Sequence, residues 1–385
     1  MKQVLKQNPV SGVFKCLVRS VTNVFLHEGR LQLHSEKLGK PLCFYNVWLR
    51  DHCRCNECYH VRTNQRLFDI LKLDQDSVSK INKACVKEDL LTVSWADGHK
   101  STYSINWLLQ HTHQLKSRNS LELWDSSNLK IDYYPYEKFM SCDKVLRDFL
   151  VAMVSKGVAI VSDVPPSVIK TRETVERLSP VMKTFYGEMW EFSDNLEYSD
   201  TAYTSDAIES HTDTTYMLQS VGIQVLHCLK HNGEGGENTL VDGFNCVKQF
   251  KNESYQGYNM LSSLSTPGEY IDGERHYKCD LPMLLHNQEN ELIRVRYNTH
   301  DRAPLETVPP TLIPEYYRHL IHLTKIIRNP KNVYLLKLTP GNVIFMDNWR
   351  ILHGRLAYTG ARVMTGCYID RSDFESSARF FNVLP

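Results

Sequence analysis

Neither sign of charge dominates this 385-residue sequence: 45 Lys and Arg stand against 44 Asp and Glu, a formal net charge of +1. That balance excludes a sequence-independent nucleic-acid binder, which draws its affinity from a large basic surplus. No apolar run approaches the roughly 20 residues that cross a bilayer as a helix, so no membrane partner is expected. Internal repeats and low-complexity tracts are missing as well. Hydrophobic residues at 42% and charged residues at 23% match ordinary globular domains and leave disorder, collagen and coiled coil as poor fits. Paired cysteine spacings are absent too. Three of the eleven cysteines fall within six residues (Cys53, Cys55, Cys58) and the rest are scattered singly. This pattern suits a reducing compartment with the cluster reserved for a metal, not a secreted disulfide framework. Acidic residues are missing from the first 27 positions, which carry Lys2, Lys6, Lys15 and Arg19 before Glu28. Such a stretch fits a mitochondrial presequence or, equally, a plain basic arm.

What is present divides the chain into three parts: a basic extension over 1–20, a small β-rich module over 21–125, and a larger domain over 126–385. In the module, residues 21–60 read as short strands, Leu91 to Trp95 alternates with period two, and Asp97-Gly98 signals a two-residue hairpin. The larger domain opens with an amphipathic helix from Cys142 to Lys156, ended by Gly157. A buried strand over Val158 to Val161 follows, then a second helix over Thr171 to Thr184. From Tyr203 onward short β-like runs separated by Gly, Asn and Pro dominate, a rhythm that suits a β-sandwich or jelly roll.

Two clusters carry chemistry. The thiols of Cys53, Cys55 and Cys58 can reach one point, and tetrahedral zinc with three cysteines and one histidine is a common structural solution. The fourth ligand is open among His52, His60, Cys85 and His99; His99 follows the Asp97-Gly98 turn, where a side chain can be aimed back at the cluster. The second cluster is His211-Thr-Asp213. On a strand, residues two apart point to one face, so imidazole and carboxylate can grip one ion. His353, just after the strand Val343 to Met346, would complete the two-histidine, one-carboxylate set of non-haem Fe(II) oxygenases, which leaves positions open for a co-substrate and O₂. Arg362 could hold the far carboxylate of a dicarboxylate co-substrate bidentately, and the Thr239 hydroxyl could assist it.

His211-Thr-Asp213, Gly235-Gly236, Asn348-Trp-Arg-Ile-Leu-His353-Gly-Arg355, Arg362 and Val47-Trp-Leu-Arg-Asp-His-Cys53 together resemble the 2-oxoglutarate-dependent oxygenases of carnitine synthesis. The resemblance runs from about Val21 to the C-terminus. It implies a mainly β fold with flanking helices, in which a double-stranded β-helix (jelly-roll) catalytic domain follows a small zinc-binding N-terminal domain, usually in a homodimer. It also implies iron on His211, Asp213 and His353, 2-oxoglutarate on Arg362, zinc on Cys53, Cys55, Cys58 and His99, and ascorbate to keep the iron ferrous. The family's two substrates, γ-butyrobetaine and N6-trimethyllysine, are both quaternary ammonium compounds. Such a cation cannot donate hydrogen bonds and is recognised by aromatic faces. The resemblance places that cage on Tyr186, Trp190, Tyr203 and Tyr368.

The two substrates differ at the other end, where trimethyllysine adds an α-ammonium beside its carboxylate. Asp200 stands where the butyrobetaine enzymes resemble this segment but carry asparagine, and an acid suits an ammonium. Asn298 and Arg302 are candidates for the α-carboxylate. The expected activity is therefore hydroxylation of trimethyllysine at C3, with succinate and CO₂ as co-products. Hydroxylation of γ-butyrobetaine is the nearer rival. A non-catalytic methyl-lysine reader is the rival of another class, and it has no use for His211, Asp213, His353 and Arg362 together.

Overall fold

The computed structural model describes residues 21–35, 40–112, 121–192 and 204–385. The basic extension over 1–20, together with Asp200 and Tyr203, lies outside the described residues. The chain forms two units, Met1–Arg118 and Asn119–Pro385.

In the first unit the strands Val21–His27, Arg30–Ser35 and Leu42–Tyr45 form one antiparallel sheet; Ile81–Lys87, Leu90–Trp95 and Lys100–Ser104 form another. Period-two alternation drives Leu91, Val93 and Trp95 inward, where they meet Leu31, Leu33, Leu42 and Phe44 in a single core. The segment 21–60, expected as short strands throughout, instead turns helical over Asn46–Asp51. The hairpin after Trp95 also differs from the two-residue expectation. Trp95 N–H donates to His99 O, and Gly98 takes φ +86°. Ala96, Asp97 and Gly98 thus form the loop, with glycine supplying the left-handed residue.

The second unit is a jelly roll of two facing sheets. The larger has the order Trp190–Phe192, Arg362–Ile369, Ile223–His231, Val343–Asp347, Val158–Ser162, Tyr133–Pro135; the smaller runs Ile208–His211, Ile351–Arg355, Asn238–Asp242, Tyr334–Leu336. Every pairing is antiparallel except that of Tyr133–Pro135 with Val158–Ser162. Ile160, Leu226, Leu240, Ile344 and Met364 fill the space between the sheets. Outside the larger sheet, helices Asp143–Lys156, Val168–Glu176 and Arg371–Phe380 bury Phe149, Val175 and Phe374 against Val225 and Phe345. Outside the smaller, helices Gly243–Glu253, Tyr255–Ser263 and Ile313–Ile327 bury Phe250, Leu261 and Leu323 against Val241 and Leu352.

The helix after Val161 is shorter than its expected span. Ser167 caps its start by accepting from Lys170 N–H, and it ends at Glu176, ahead of Pro180. A proline disfavours helical backbone in the residue before it. Among the described residues, no helix is long and apolar enough to cross a membrane.

Candidate active site

Strands Ile208–His211 and Ile351–Arg355 pair so that His211 lies directly opposite His353. Directly paired residues face the same side of a sheet, and here both imidazoles turn inward, with ring centroids 4.8 Å apart. Asp213 follows the end of its strand and completes the group. Its Oδ1 lies 3.2 Å from His211 Nε2 and 3.4 Å from His353 Nε2. His211 Nδ1 donates to Glu209 O at 2.8 Å, which fixes the tautomer and leaves Nε2 as the basic nitrogen facing the centre.

The other carboxylate oxygen is occupied. Asp213 Oδ2 accepts from Gln224 Nε2 at 2.5 Å and from the Tyr368 hydroxyl at 2.9 Å. The Asp213 peptide N–H donates to Asn348 Oδ1. Oδ1 is thereby reserved for the convergence point. Burial alone would raise the Asp213 carboxyl, but His353 and His211 hold it well below the ordinary range. Burial likewise opposes charge on His211, yet the hydrogen bond to Asp213 and its charge lift that imidazole to about 9.

Arg362, 4% exposed, lines the same cavity. Its guanidinium sits over the Tyr358 ring and makes no hydrogen bond or ion pair among the described residues. Burial, then the nearby charge of Arg355, brings it down to about 10. A desolvated guanidinium with no protein acid to face is costly, and an anionic ligand is its natural complement.

The expected helper does not sit there. Thr239 pairs with Gly354 and its hydroxyl meets Ser210 Oγ at 2.9 Å. It faces away from the cavity, because neighbours on a strand alternate and Leu240 is the residue opposite His353. The polar cavity-lining side chain of this strand is Asn238, one position earlier and paired with Arg355. The sequence reading missed it because register, not residue type, decides which of two adjacent polar residues points inward.

Tyr186, Trp190 and Tyr368 all line the cavity. Trp190 and Tyr368 stand 5.5 Å apart, centroid to centroid, and the Tyr186 hydroxyl lies 3.3 Å from that of Tyr216, a cavity residue the sequence reading overlooked. Trp190 lies across the strand from Gly366, where an added Cβ would come within 2.2 Å of its ring. Only glycine lets the indole lie flat against that strand. Asn298 also lines the cavity, with its amide Nδ2 on Asp301 Oδ2 at 2.7 Å. Arg302 does not: it donates to Thr299 O and lies over Tyr317.

In the first unit, the Cys55 carbonyl accepts from both Cys58 N–H and Tyr59 N–H, a turn that brings the two thiols together. The side chain of Asp97 accepts from His99 N–H and aims the imidazole back. His99 Nε2 then lies 3.4, 3.5 and 3.7 Å from the Sγ atoms of Cys53, Cys55 and Cys58. Tetrahedral zinc with Zn–S of about 2.3 Å and Zn–N of about 2.0 Å separates sulfur from nitrogen by about 3.5 Å, so the donor set fits that ion. The rival ligands are engaged elsewhere. His52 bonds Trp48 O and stacks on its ring, His60 bonds Thr63, and Cys85 is exposed.

Buried Arg50, also unforeseen, donates to Cys58 Sγ at 3.3 Å and to Asp97. Three thiolates and a neutral imidazole around Zn²⁺ would leave one negative charge, which this guanidinium would offset. Without a metal, burial and the neighbouring thiols push Cys58 up to about 12, with Arg50 working the other way.

Comparison with known proteins agrees with this geometry. A family model described as "Taurine catabolism dioxygenase TauD, TfdA family" matches residues 126–368, and "Gamma-butyrobetaine hydroxylase-like, N-terminal" matches 35–109. The mitochondrial trimethyllysine dioxygenase of Gallus gallus is 38% identical, over 91% of this chain and 88% of that one. That of Mus musculus is 36% identical, over 93% and 86%. The gamma-butyrobetaine dioxygenase of Pseudomonas sp. (strain AK-1) is 28% identical, over 88% and 90%.

Proposed function

Since the chain belongs to the TauD, TfdA dioxygenase family, and within it to the trimethyllysine dioxygenases, we propose that it hydroxylates N6-trimethyllysine at C3. The reaction consumes 2-oxoglutarate and O₂ and releases succinate and CO₂, the first step toward carnitine. The observation that carries this reading is the meeting of His211, Asp213 and His353 in a cavity that also holds the guanidinium of Arg362, which has no ion-pair partner among the described residues. Neighbouring positions of an octahedral shell with bonds of about 2.1 Å are about 3.0 Å apart. The nitrogen-to-oxygen separations of 3.2 and 3.4 Å suit that shell. Fe(II) held by these three atoms would supply O₂ activation coupled to oxidative decarboxylation of the co-substrate.

The chain's own residues supply orientation and exclusion of water. Arg362 takes the distal carboxylate of 2-oxoglutarate, with Asn238 beside it. Trp190, Tyr186 and Tyr368 offer ring faces to the quaternary ammonium, each contact worth about 0.5–2 kcal/mol. Phe192, Ile208 and Leu226 line the rest and keep water from the reacting centre. Asp200 and Tyr203 belong to the same proposal on the sequence pattern alone.

Zinc on Cys53, Cys55, Cys58 and His99 would be structural, since protein atoms fill all four positions. Ascorbate as reductant of the iron, a homodimer, and a mitochondrial matrix location complete the proposal. The last follows relatives named as mitochondrial.

Incubating the purified protein with Fe(II), 2-oxoglutarate and trimethyllysine should give succinate well above the substrate-free background, and a hydroxylated product 16 mass units heavier. Faster turnover of γ-butyrobetaine would point to the sister activity instead. No stimulation by either compound would favour a methyl-lysine reader.

Outer partners of metal ligands are typically worth about 10–100-fold in metal affinity. Gln224→Leu should therefore weaken Fe(II) binding by about that factor, because Asp213 Oδ2 loses a donor and the carboxylate can swing. Anaerobic Fe(II) titration checks this; unchanged affinity would show that Tyr368 alone holds the carboxylate. Gly366→Ala should raise the KM for trimethyllysine with little change in that for 2-oxoglutarate, since the added methyl displaces Trp190.

A further inference from the structure

The loop that carries Asp213 holds an unfavourable backbone. Thr214, the next residue, is β-branched and buried, yet takes φ +55°. Left-handed backbone is an outlier for such a side chain and persists only where the surroundings over-determine it. We propose that Arg296 is a positioning residue for the iron centre. Its guanidinium ties the Asp213 loop to the hairpin of strands Ser265–Asp272 and Arg275–Pro282, and so registers the metal-binding carboxylate against the aromatic wall of the cavity. This rests on the iron-site reading above.

Three observations carry the assignment. The first is what the guanidinium holds. Arg296 is 4% exposed, and among the described residues its side chain donates to main-chain carbonyls: Leu281 at 2.5 Å, Pro282 at 3.2 Å, Cys279 at 3.5 Å and, across the chain, Thr215. A planar fork holds acceptors from two segments at once, which a point-like ammonium does not.

The second is where the loop is gripped. Thr212 N–H donates to Tyr297 O at 2.7 Å, and Asp213 N–H to Asn348 Oδ1 at 2.8 Å. Val221 N–H donates to Thr214 Oγ1 at 3.1 Å. Beyond the strained residue, the Thr215 carbonyl is taken by Arg296. Arg296 and Tyr297 are neighbours, so one short stretch of chain grips the loop on both sides of Asp213.

The third is space. Gly268, on the hairpin, faces the same carbonyl: an added Cβ would lie 2.7 Å from Thr215 O and 2.9 Å from its carbon. A backbone carbonyl cannot step aside as the end of a flexible side chain does, so glycine lets the hairpin close on the loop. From that hairpin Tyr270 stacks on Tyr216, with centroids 5.0 Å apart and planes at 26°. Tyr216 lines the cavity, and its hydroxyl lies 3.3 Å from that of Tyr186. The clamp thus fixes the rings that face the substrate and the carboxylate that faces the metal as one body.

The test uses the intact chain and two variants whose altered side chains lie outside the cavity lining. Arg296→Lys keeps the charge but loses the fork; Gly268→Ala keeps the guanidinium and displaces Thr215 from the other side. Anaerobic Fe(II) titration without substrate should show each variant binding about 10- to 100-fold more weakly, the loss typical of groups that orient metal ligands. With trimethyllysine, succinate should exceed hydroxylated product in both variants, whereas the two match in the wild type. A misplacement of about 1 Å can cost on the order of 100-fold in the productive reaction. A purely structural role would lower the unfolding midpoint and leave the Fe(II) affinity of the folded protein unchanged. Wild-type Fe(II) affinity in variants shown by circular dichroism to be folded would therefore overturn the assignment. Should Arg296→Lys fail to fold, Gly268→Ala decides it alone. A wild type that binds Fe(II) but does not turn over trimethyllysine would bring down the functional reading, while the iron titration would still judge this one.

Discussion

Replacing His353 by alanine should reduce trimethyllysine-dependent succinate formation to background with no loss of fold. His353 is 6% exposed on a strand held on both edges, by Ile208–His211 and by Asn238–Asp242. Its ring contributes a donor atom more than it contributes packing, and its Nδ1 has no hydrogen-bond partner among the described residues. Losing one of three ligands must cost more than the 10- to 100-fold typical of outer partners, so a drop of more than about 100-fold in kcat/KM is expected. The substitution also removes one of the two imidazoles that hold the Asp213 carboxyl low. Circular dichroism and thermal unfolding check the fold, and succinate release checks the rate. Retained turnover would remove His353 from the iron site.

The second large effect is expected in the first unit. Cys58→Ser, or removal of the metal by a strong chelator, should destabilise that unit selectively, because the binding free energy of a structural zinc is largely folding free energy. Its core rests on a dozen buried side chains. A loss on the order of 3 kcal/mol or more is expected. At roughly 4–8 °C per kcal/mol for a domain of this size, the unfolding midpoint should fall by more than about 10 °C. Arg50 sharpens the test. With no ion on the cysteines, this guanidinium would be buried beside neutral thiols with Asp97 as its one acidic partner among the described residues. Arg50→Met should therefore weaken zinc retention in the intact protein yet cost less stability in the metal-free one. Zinc content by mass spectrometry and calorimetry separate these outcomes.

Much of the site was legible in the sequence because its signals are local or typed. The HxD triplet, the cysteine cluster and the histidine after a strand name their chemistry by residue type, and the fold brings each set together. The helix ended by Gly157 was legible for the same reason. Gly157 takes φ +80° and donates to Met153 O, a termination that one residue announces.

What escaped depends on pairing. Asn238 and Thr239 are both polar and both on one strand, and only the register Leu240 opposite His353 decides between them. Gln224 was hidden in a run read simply as strand, although a polar side chain there points into the cavity as a hydrogen-bond donor to Asp213. The helices Gly243–Glu253 and Ile313–Ile327 were lost beneath a β-like rhythm. Yet Tyr316, Leu320, Leu323 and Ile327, all buried, recur at the three- and four-residue spacing of an amphipathic helix. The paired imidazoles also explain why distance along the chain was no obstacle: His211 and His353 are separated by 142 residues in number and by one strand register in space.

The most direct test is anaerobic titration of the purified, chelator-treated protein with Fe(II) in the presence of 2-oxoglutarate, followed by the visible charge-transfer absorption of the ternary complex. One equivalent per chain should produce the band, Arg362→Ala should shift the 2-oxoglutarate requirement upward, and Asp213→Ala should abolish the band. Absence of iron uptake by the wild type, or an undiminished band in Asp213→Ala, would contradict a ferrous centre built on His211, Asp213 and His353.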